Sequence, residues 1–408
     1  MVPRSGPTLA VLTAVGTLAL LLGSIQPAAG STFNVPCNTG ALVAAITAAN
    51  GAGPSTINLA PCTYTLTAAA VGVDGLPPIT GNITINGSGG TAIARSTADG
   101  TPLFRILEVQ GSASLTLNSI TLANGKIACC DKGGDVLVDQ NGTLSANSVT
   151  VTGGSAAYGA GVANLGSITL TSTKVTTNMG TNNPYGIGVW TGTGATTSII
   201  AGLISGNEST DNNAWGGGVS NDGTTSITST TISNNTLPGG SDSEGAGVWN
   251  SGTMSITSTL IKANTNTGPG GVSGGGVYNS VYDSPTASMT VVSSQILDNT
   301  LTSTDAGNGA GGGVWNNAQL SVRSSTIKGN TAASTGGGEG QGGGLFNTGG
   351  GTATLTSDAV TDNHAAGGTP HGGGIFVDSG TVTIPSSSVK GNSPDNCFPP
   401  GSVPGCTG

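Results

Sequence analysis

The chain has 408 residues, of which 72 are Gly, 7% are charged and 3% are aromatic, and its formal net charge is −9. Globular proteins average about 25% charged residues and about 7% Gly, so ordinary globular domains are not expected. The Gly residues follow no three-residue period, which excludes collagen, and the low charge argues against disorder. The acidic balance disfavours nucleic acid and anionic membrane surfaces as partners.

The first 30 residues are typical of a secretion signal. Arg4 precedes an apolar run of 15 residues, Leu9 to Gly23, and Ala28-Ala29-Gly30 supplies small residues for cleavage before Ser31. The run is short for a membrane span, which needs about 20 residues. We therefore predict a signal peptide over residues 1–30, a secreted, extracellular protein that is free or associated with a cell surface, and no membrane span after cleavage. A retained anchor is the alternative.

The segment that follows contains the one clear helix pattern of the predicted mature chain. Thr39 to Asn50 (TGALVAAITAAN) places Leu42, Val43 and Ile46 on one face. Because a repetitive β-structure exposes core and strand edges at its ends, we predict that this helix covers the N-terminal end. We assign residues 31–75 to an N-terminal cap.

Six cysteines are compatible with disulfides in a secreted protein. Proximity favours Cys37–Cys62 and Cys397–Cys406, whereas the adjacent Cys129 and Cys130 form either a vicinal bridge or two thiols. The two His residues are far from every Cys pair in the sequence, so no metal site is predicted.

A glycine motif recurs through the rest of the chain, as GAGVWN at Gly245–Asn250, GGGVYN at Gly274–Asn279, GGGVWN at Gly311–Asn316 and GGGLFN at Gly342–Asn347. Its third residue recurs at steps of 27 to 37 residues in eight units. Each unit continues with a Val-, Ile- and Thr-rich run that contains an aliphatic-x-Ser pattern in seven of the eight units. Each unit then ends on an aliphatic-x-x-Asn pattern. The eight Asn residues are Asn178, Asn207, Asn235, Asn264, Asn299, Asn330, Asn363 and Asn392.

These units predict an all-β solenoid. Short runs of Val, Ile and Thr broken by Gly and Asn are typical of strands, and a period near 30 residues is too short for a propeller blade. One unit therefore makes one coil of a single-stranded parallel β-helix over residues 76–392, with about ten coils in all. Stacking makes the eight Asn residues a ladder of amide hydrogen bonds at a bend. Residues 393–408, rich in Pro, form a C-terminal cap loop.

The segment CNTGALVAAITAANGAGPSTINLAPCTYTLT, Cys37 to Thr67, resembles the N-terminal capping module of secreted bacterial right-handed β-helix proteins. The Gly-Gly-aliphatic and aliphatic-x-x-Asn patterns are similar to the repeats of polymorphic outer-membrane proteins and of pectin-lyase-like β-helices. The resemblance implies a right-handed β-helix. It does not select a function, because this fold carries lyases, hydrolases, adhesins and stalks.

An aromatic row is the first candidate site. The residue after the aliphatic of each glycine motif points away from the core because strand side chains alternate. A row of rings at the strand spacing can stack on a glycan, or the rings can stack on one another under the neighbouring loops. The candidate ligand-binding residues are Trp190, Trp249, Tyr278, Trp315, Phe346 and Phe376.

A second candidate is a row of Lys and Asp on one edge of the coils. Lys262, Asp298, Lys328 and Asp362 occupy neighbouring slots of successive units. These residues are the candidates for acid–base chemistry if the protein is an enzyme, and otherwise form a surface ion-pair row.

We therefore predict a secreted or cell-surface β-helix protein, monomeric and non-enzymatic, that acts as a glycan-binding or adhesion module. The alternatives are a polysaccharide lyase or glycoside hydrolase of the same fold, and a structural spacer. No cofactor is predicted. A Ca²⁺ role is left open, although no loop has the spacing of a known Ca²⁺ motif.

Overall fold

The computed structural model describes residue 1 and residues 30–209, 211–282 and 284–407. The predicted signal peptide lies almost entirely outside these residues. The described chain is a right-handed parallel β-solenoid of about 12 turns. The count exceeds the ten predicted from the sequence because the first coils lack the glycine motif and the ladder Asn.

Four parallel sheets run along the solenoid, and each coil contributes one strand to most of them. Sheet 1 has 13 strands, sheet 2 has 12, sheet 3 has eight and sheet 4 has 11. A two-stranded pair, Gly309–Ala310 with Gly340–Gln341, accompanies sheet 3.

Their bounds are as follows. Sheet 1 contains Ser31–Val35, Ser55–Leu59, Asn82–Asn86, Ser114–Asn118, Thr143–Asn147, Ser167–Thr171, Thr196–Ile200, Thr224–Thr228, Thr253–Thr257, Ser288–Val292, Gln319–Arg323, Thr352–Thr356 and Thr381–Thr383. Sheet 2 contains Thr63–Leu66, Ala92–Arg95, Thr121–Ala123, Thr150–Thr152, Lys174–Thr176, Leu203–Ser205, Thr231–Ser233, Leu260–Lys262, Gln295–Leu297, Thr326–Lys328, Ala359–Thr361 and Ser388–Lys390. Sheet 3 contains Ser155–Tyr158, Met179–Tyr185, Glu208–Ser209, Thr236–Pro238, Thr265–Gly268, Thr300–Ser303, Thr331–Ser334 and His364–Ala366. Sheet 4 contains Leu107–Val109, Val136–Val138, Val162–Asn164, Val189–Thr191, Val219–Asn221, Val248–Asn250, Val277–Asn279, Val314–Asn316, Leu345–Asn347, Ile375–Val377 and Cys397–Phe398.

The predicted N-terminal helix spans Thr39–Asn50 and contacts the first strands of sheets 1 and 2. Asn38 caps it, because its side-chain oxygen accepts a hydrogen bond from the Ala41 amide at 2.9 Å. Leu42 and Ile46 are fully buried against the core, and Val43 is partly buried.

The structure pairs Cys37 with Cys62, Cys397 with Cys406, and Cys129 with Cys130.

The Asn ladder predicted from the repeat is present at the bend between sheets 2 and 3. The side-chain amide of each Asn from Asn178 to Asn363 donates to the side-chain oxygen of the Asn in the next coil at 2.8–2.9 Å. The left-handed backbone of this bend does not lie at the ladder Asn itself. Positive φ belongs to the residue before it, such as Ala263 (50°), Asp298 (52°) and Asp362 (57°).

A second interior ladder follows sheet 4. Asn221, Asn250, Asn279, Asn316 and Asn347 are fully buried and donate from coil to coil at 2.7–2.8 Å. The Ser of the aliphatic-x-Ser pattern marks a different feature, the turn between sheets 1 and 2. There Ser229, Ser258 and Ser293 adopt φ of 49–51°, which lets the chain change direction within one residue.

A hydroxyl ladder lines this turn and contains one acidic residue. The hydroxyls of Ser294 and Ser325 each accept the backbone N–H of the preceding coil, and the Asp358 carboxylate takes the same role with the Ser325 N–H at 2.6 Å. Burial raises the pKa of Asp358 from 3.8 to about 6, although the Ser325 N–H acts in the opposite direction. A neutral Asp358 is therefore preferred by the folded state.

We expect Asp358→Ser to stabilise the protein above pH 6 by about 1–2 kcal/mol, since Ser keeps the ladder bond and removes the buried charge. A carboxyl whose pKa is raised on folding favours the fold fully below about pH 3.8, and this contribution is lost as the pH rises through 6. The gain in melting temperature of the variant over the wild type should therefore grow from pH 4 to pH 8. A difference that is constant with pH would contradict this.

Candidate functional site

The predicted aromatic row exists on sheet 4. Trp249 pairs in register with Tyr278, which pairs with Trp315, and the row continues through Phe346 to Phe376. Trp190 stands apart, because Ser220 separates it from Trp249 in the register. The residues after the glycine motif are therefore brought together as the sequence predicted, over five coils.

Four of the five rings of this row are buried and Trp315 is partly buried, so the row is not an open stripe. Trp249 is 1% exposed, and Tyr278, Phe346 and Phe376 are also buried. Successive rings stack on one another with centroids 4.2–6.4 Å apart and continue to Phe398. The faces of the rings therefore contact neighbouring rings, as in the alternative prediction that the rings stack on one another. Glycan binding by these rings stays a prediction.

A carboxyl group is packed into this row. Glu244 accepts a hydrogen bond from the indole nitrogen of Trp249 at 2.9 Å. Burial raises the pKa of Glu244 to about 7, while hydrogen bonds from Trp249 and Tyr278 act against that rise. These contacts hold the glycine-rich segment that precedes the motif against the rings.

The predicted Lys and Asp row is a surface feature. Lys328 Nζ lies 3.3 Å from Asp362 Oδ2, and the two side chains are 54% and 58% exposed. Lys262 lies two coils away, since Leu297 separates it from Lys328 in the register. Asp298 and Asp362 occupy the left-handed turn position, which Asp tolerates better than most residues. Exposed ion pairs contribute about 0–1 kcal/mol, so this row resembles a solvated edge.

A buried charged cluster at the N-terminal end was missed by the sequence interpretation. Arg105 Nε lies 3.3 Å from Asp74, its Nη1 lies 3.9 Å from Glu108 and its Nη2 lies 3.3 Å from Asp131. The Arg105 side chain is 4% exposed. Burial raises the pKa of Asp74 and of Glu108, which also hydrogen-bond to each other.

The cluster escaped notice because its members come from separate irregular coils. Arg105 and Asp74 meet through an isolated parallel bridge rather than a repeated motif. Glu108 takes the same register position, opposite Leu137, that aromatic residues take further along sheet 4. An acidic residue at the strand position that aromatic residues take in later coils is the only sequence feature that points to this cluster.

The outward side of sheet 1 carries the largest regular feature of the surface. In ten consecutive strands, from Ser114–Asn118 to Thr381–Thr383, the first and third residues point outward, while the second is buried. We call the outward Ser and Thr of these strands the hydroxyl face. Its members are Ser114, Thr116, Thr143, Ser145, Ser167, Thr169, Thr196, Ser198, Thr224, Ser226, Thr253, Ser255, Ser288, Thr290, Ser321, Thr352, Thr354, Thr381 and Thr383.

The register of the hydroxyl face is continuous. Consecutive strands pair without a shift, so that Ser198, Ser226 and Ser255 follow one another in a straight row. Thr196 donates to Ser167 at 3.1 Å, which shows hydroxyls linked from coil to coil. The one interruption of the first row is Gln319, and Arg323 on the same strand is the one charged residue in the ten strands.

A third ladder of amides borders this face at its N-terminal end. Asn58, Asn86, Asn118 and Asn147 each donate to the Asn of the preceding coil at 2.8–3.0 Å. Unlike the interior Asn ladders, it lies on the outside of sheet 1 and is partly solvated.

Metal and membrane features were also sought in the described part of the chain. Residues 30–209, 211–282 and 284–407 contain no group of three or more His, Cys, Asp or Glu side chains arranged to hold a metal ion. Within the same residues, no helix has the length and apolar character needed to cross a membrane.

Comparison with known proteins adds little beyond the geometry. No family model and no curated protein matches the chain. Among solved structures, the chain is similar to the crystal structure of pectate lyase Pel9A, at 16% sequence identity and a TM-score of 0.37, over 88% of this chain and 78% of that one. A likeness this distant carries no argument about activity. The assignment as a right-handed parallel β-helix rests on the strand order and register described above.

Proposed function

We propose that the protein is a non-enzymatic extracellular binding module, adhesin-like in action, and that its binding surface is the hydroxyl face. The observation that carries this proposal is the array of Ser and Thr over ten strands of sheet 1, which Gln319 alone interrupts. Its extent and regularity exceed those of the Lys and Asp row, and its side chains are more open to solvent than those of the aromatic row, of which four are buried and Trp315 is partly buried.

Such a face suits a large, repetitive and uncharged partner. One neutral hydrogen bond contributes only about 0.5–1.5 kcal/mol, so a single Ser or Thr binds a partner weakly. Many such contacts add up when the partner repeats with the same spacing. Rigidity helps, because strands bonded on both sides lose little conformational entropy on binding. An insoluble glycan surface belongs to this class of partner, in line with the sequence prediction.

The extracellular location is part of the proposal. Three disulfides are favoured by an oxidising environment. The apolar run from Leu9 to Gly23 supports export.

Hydrolysis is the second candidate, and the neighbouring carboxyls of Asp74 and Glu108, whose pKa values are both raised by burial, favour it. Arg105 and both carboxyls are largely closed to solvent, which weighs against substrate access. If the protein is a hydrolase, released oligosaccharides should disappear in Glu108→Gln.

We expect Ser226→Lys with Ser255→Lys to abolish adsorption to insoluble polysaccharide particles. The two exposed residues are neighbours in the centre of the face, and two ammonium groups would hold water and block close approach. Depletion of the protein from solution onto cellulose, chitin and other particles measures this, and mass spectrometry of the supernatant reports any cleavage.

The matched control is Thr176→Lys with Thr361→Lys on sheet 2. It adds the same charge at the strand position where Lys262 and Lys328 occur naturally. Adsorption should survive in this control. Adsorption that also survives in the sheet 1 variant, or fragments released by the wild type, would contradict the proposal.

A further inference from the structure

The hydroxyl face is a two-dimensional lattice. Neighbouring strands of a sheet lie about 4.8 Å apart, and residues two apart on one strand lie about 6.7 Å apart. Because the ten strands keep a constant register, hydroxyls at the same strand position recur along the solenoid at the strand spacing. Across the solenoid, the first and third residues of each strand are separated by the two-residue distance. The strand spacing is close to the repeat of equivalent oxygen atoms along the a axis of hexagonal ice.

The chemistry of the lattice suits water better than a dissolved sugar. A Ser or Thr hydroxyl donates one hydrogen bond and accepts two, as a water molecule also donates and accepts. A sugar hydroxyl that replaces water on Ser226 or Thr253 therefore gains little. Sugar recognition usually adds stacking on a ring, and the outward positions of these ten strands hold no aromatic residue.

This face carries a single charged side chain, Arg323, in a chain that is acidic elsewhere. None of the acidic residues in 30–282 and 284–407 lies in a sheet 1 strand, and Arg323 is the one basic residue of the ten strands. Lys262, Lys328 and Lys390 lie instead on sheet 2. A charged group binds its own hydration shell tightly, which would disrupt an ordered water lattice.

The lattice is also held rigidly from beneath. The residues between the outward positions, such as Ile227, Ile256 and Val291, are buried in the core. The turn that follows each strand is fixed by the hydroxyl ladder of Thr230, Thr259 and Ser294. Ordering water on such a face requires no rearrangement of the protein.

We propose that the hydroxyl face binds the surface of ice crystals. This inference rests on the proposed function, that the rod binds through this face, and it names the repetitive partner as crystalline water. Binding at many lattice points at once makes attachment to a growing crystal persistent, so the protein slows the growth of that crystal plane.

The test compares ice growth in the wild type, in Ser226→Lys with Ser255→Lys, and in Thr176→Lys with Thr361→Lys. Thermal hysteresis and inhibition of ice recrystallisation are measured for the purified proteins, with circular dichroism to check that each is folded. The wild type and the sheet 2 variant should show equal thermal hysteresis at equal concentration, and the thermal hysteresis of the sheet 1 variant should be at least about tenfold lower.

The outcomes separate this inference from the proposed function. A folded wild type without effect on ice, or a sheet 1 variant as active as the wild type, overturns ice binding. If ice growth is unaffected but adsorption to polysaccharide particles is lost in the sheet 1 variant, the proposed function stands and its partner is a glycan surface. If neither ice nor any polysaccharide is bound, both proposals fail.

Discussion

Replacing Asn299 by Ala is expected to lower the free energy of unfolding by about 3–5 kcal/mol, because each buried polar group left without a partner costs about 1–3 kcal/mol. Asn299 is fully buried, and its side-chain oxygen accepts from the backbone and side-chain amides of Asn264 at 3.0 and 2.9 Å. Its own amide donates to the Ile261 carbonyl and to Asn330. Denaturant titration followed by circular dichroism measures the effect.

The matched control is Asn147→Ala in the partly solvated ladder outside sheet 1. Asn147 donates to Asn118 at 2.9 Å, a single bond that water can replace. We expect the control to cost less than about 1 kcal/mol. Equal losses in the two variants would mean that burial does not decide the strength of the ladders, and would contradict our account of the bend.

Replacing Arg105 by Met is expected to cost about 3–5 kcal/mol at pH 7, because it leaves buried carboxyls without their cation. Met keeps much of the volume, so the loss reports charge rather than packing. The pKa of Asp74 is already raised by burial, and the Arg105 charge opposes that rise. Without Arg105, the pKa of Asp74 moves further up, so ionisation near neutral pH opposes folding more strongly.

The sign of the pH dependence follows from these shifts. A carboxyl with a raised pKa stabilises the folded state at low pH and loses this contribution as the pH rises through its folded pKa. The deficit of Arg105→Met, measured by thermal melting, should therefore shrink as the pH is lowered from 7 to 4. Lys328→Met is the control, since it removes one partner of the exposed pair with Asp362 and should change stability by at most about 1 kcal/mol. A deficit in Arg105→Met as small as that control would show that the cluster is not closed to water.

The repeat made most of the fold predictable. Asn264, Asn299 and Asn330 recur at one position of the coil, next to aliphatic residues. Because a buried amide needs a hydrogen-bond partner, the equivalent Asn of the next coil is the expected partner. The N-terminal coils were undercounted because Leu107–Val109 and Val136–Val138 follow no complete glycine motif.

The surface was less predictable, for two physical reasons. The alternation of side chains along a strand shows that Trp249 points away from the core. It does not show that Glu244 and the ring of Tyr278 cover Trp249. An outward Ser such as Ser226 is ordinary in any solvated strand, and only the constant register over ten coils makes it part of a lattice. Such features depend on what packs between coils, which no single repeat contains.

The bonding of the strands from coil to coil has a further consequence for resistance to proteolysis. Every basic residue of residues 30–407 lies within a strand or an isolated β-bridge: Arg95, Arg105, Lys126, Lys132, Lys174, Lys262, Arg323, Lys328 and Lys390. Proteases of trypsin specificity cut after Lys or Arg and need several residues pulled free of secondary structure, which here requires opening neighbouring coils together. Cleavage after these residues is therefore expected to be slow, and least so at Lys390, which lies in the terminal strand of sheet 2.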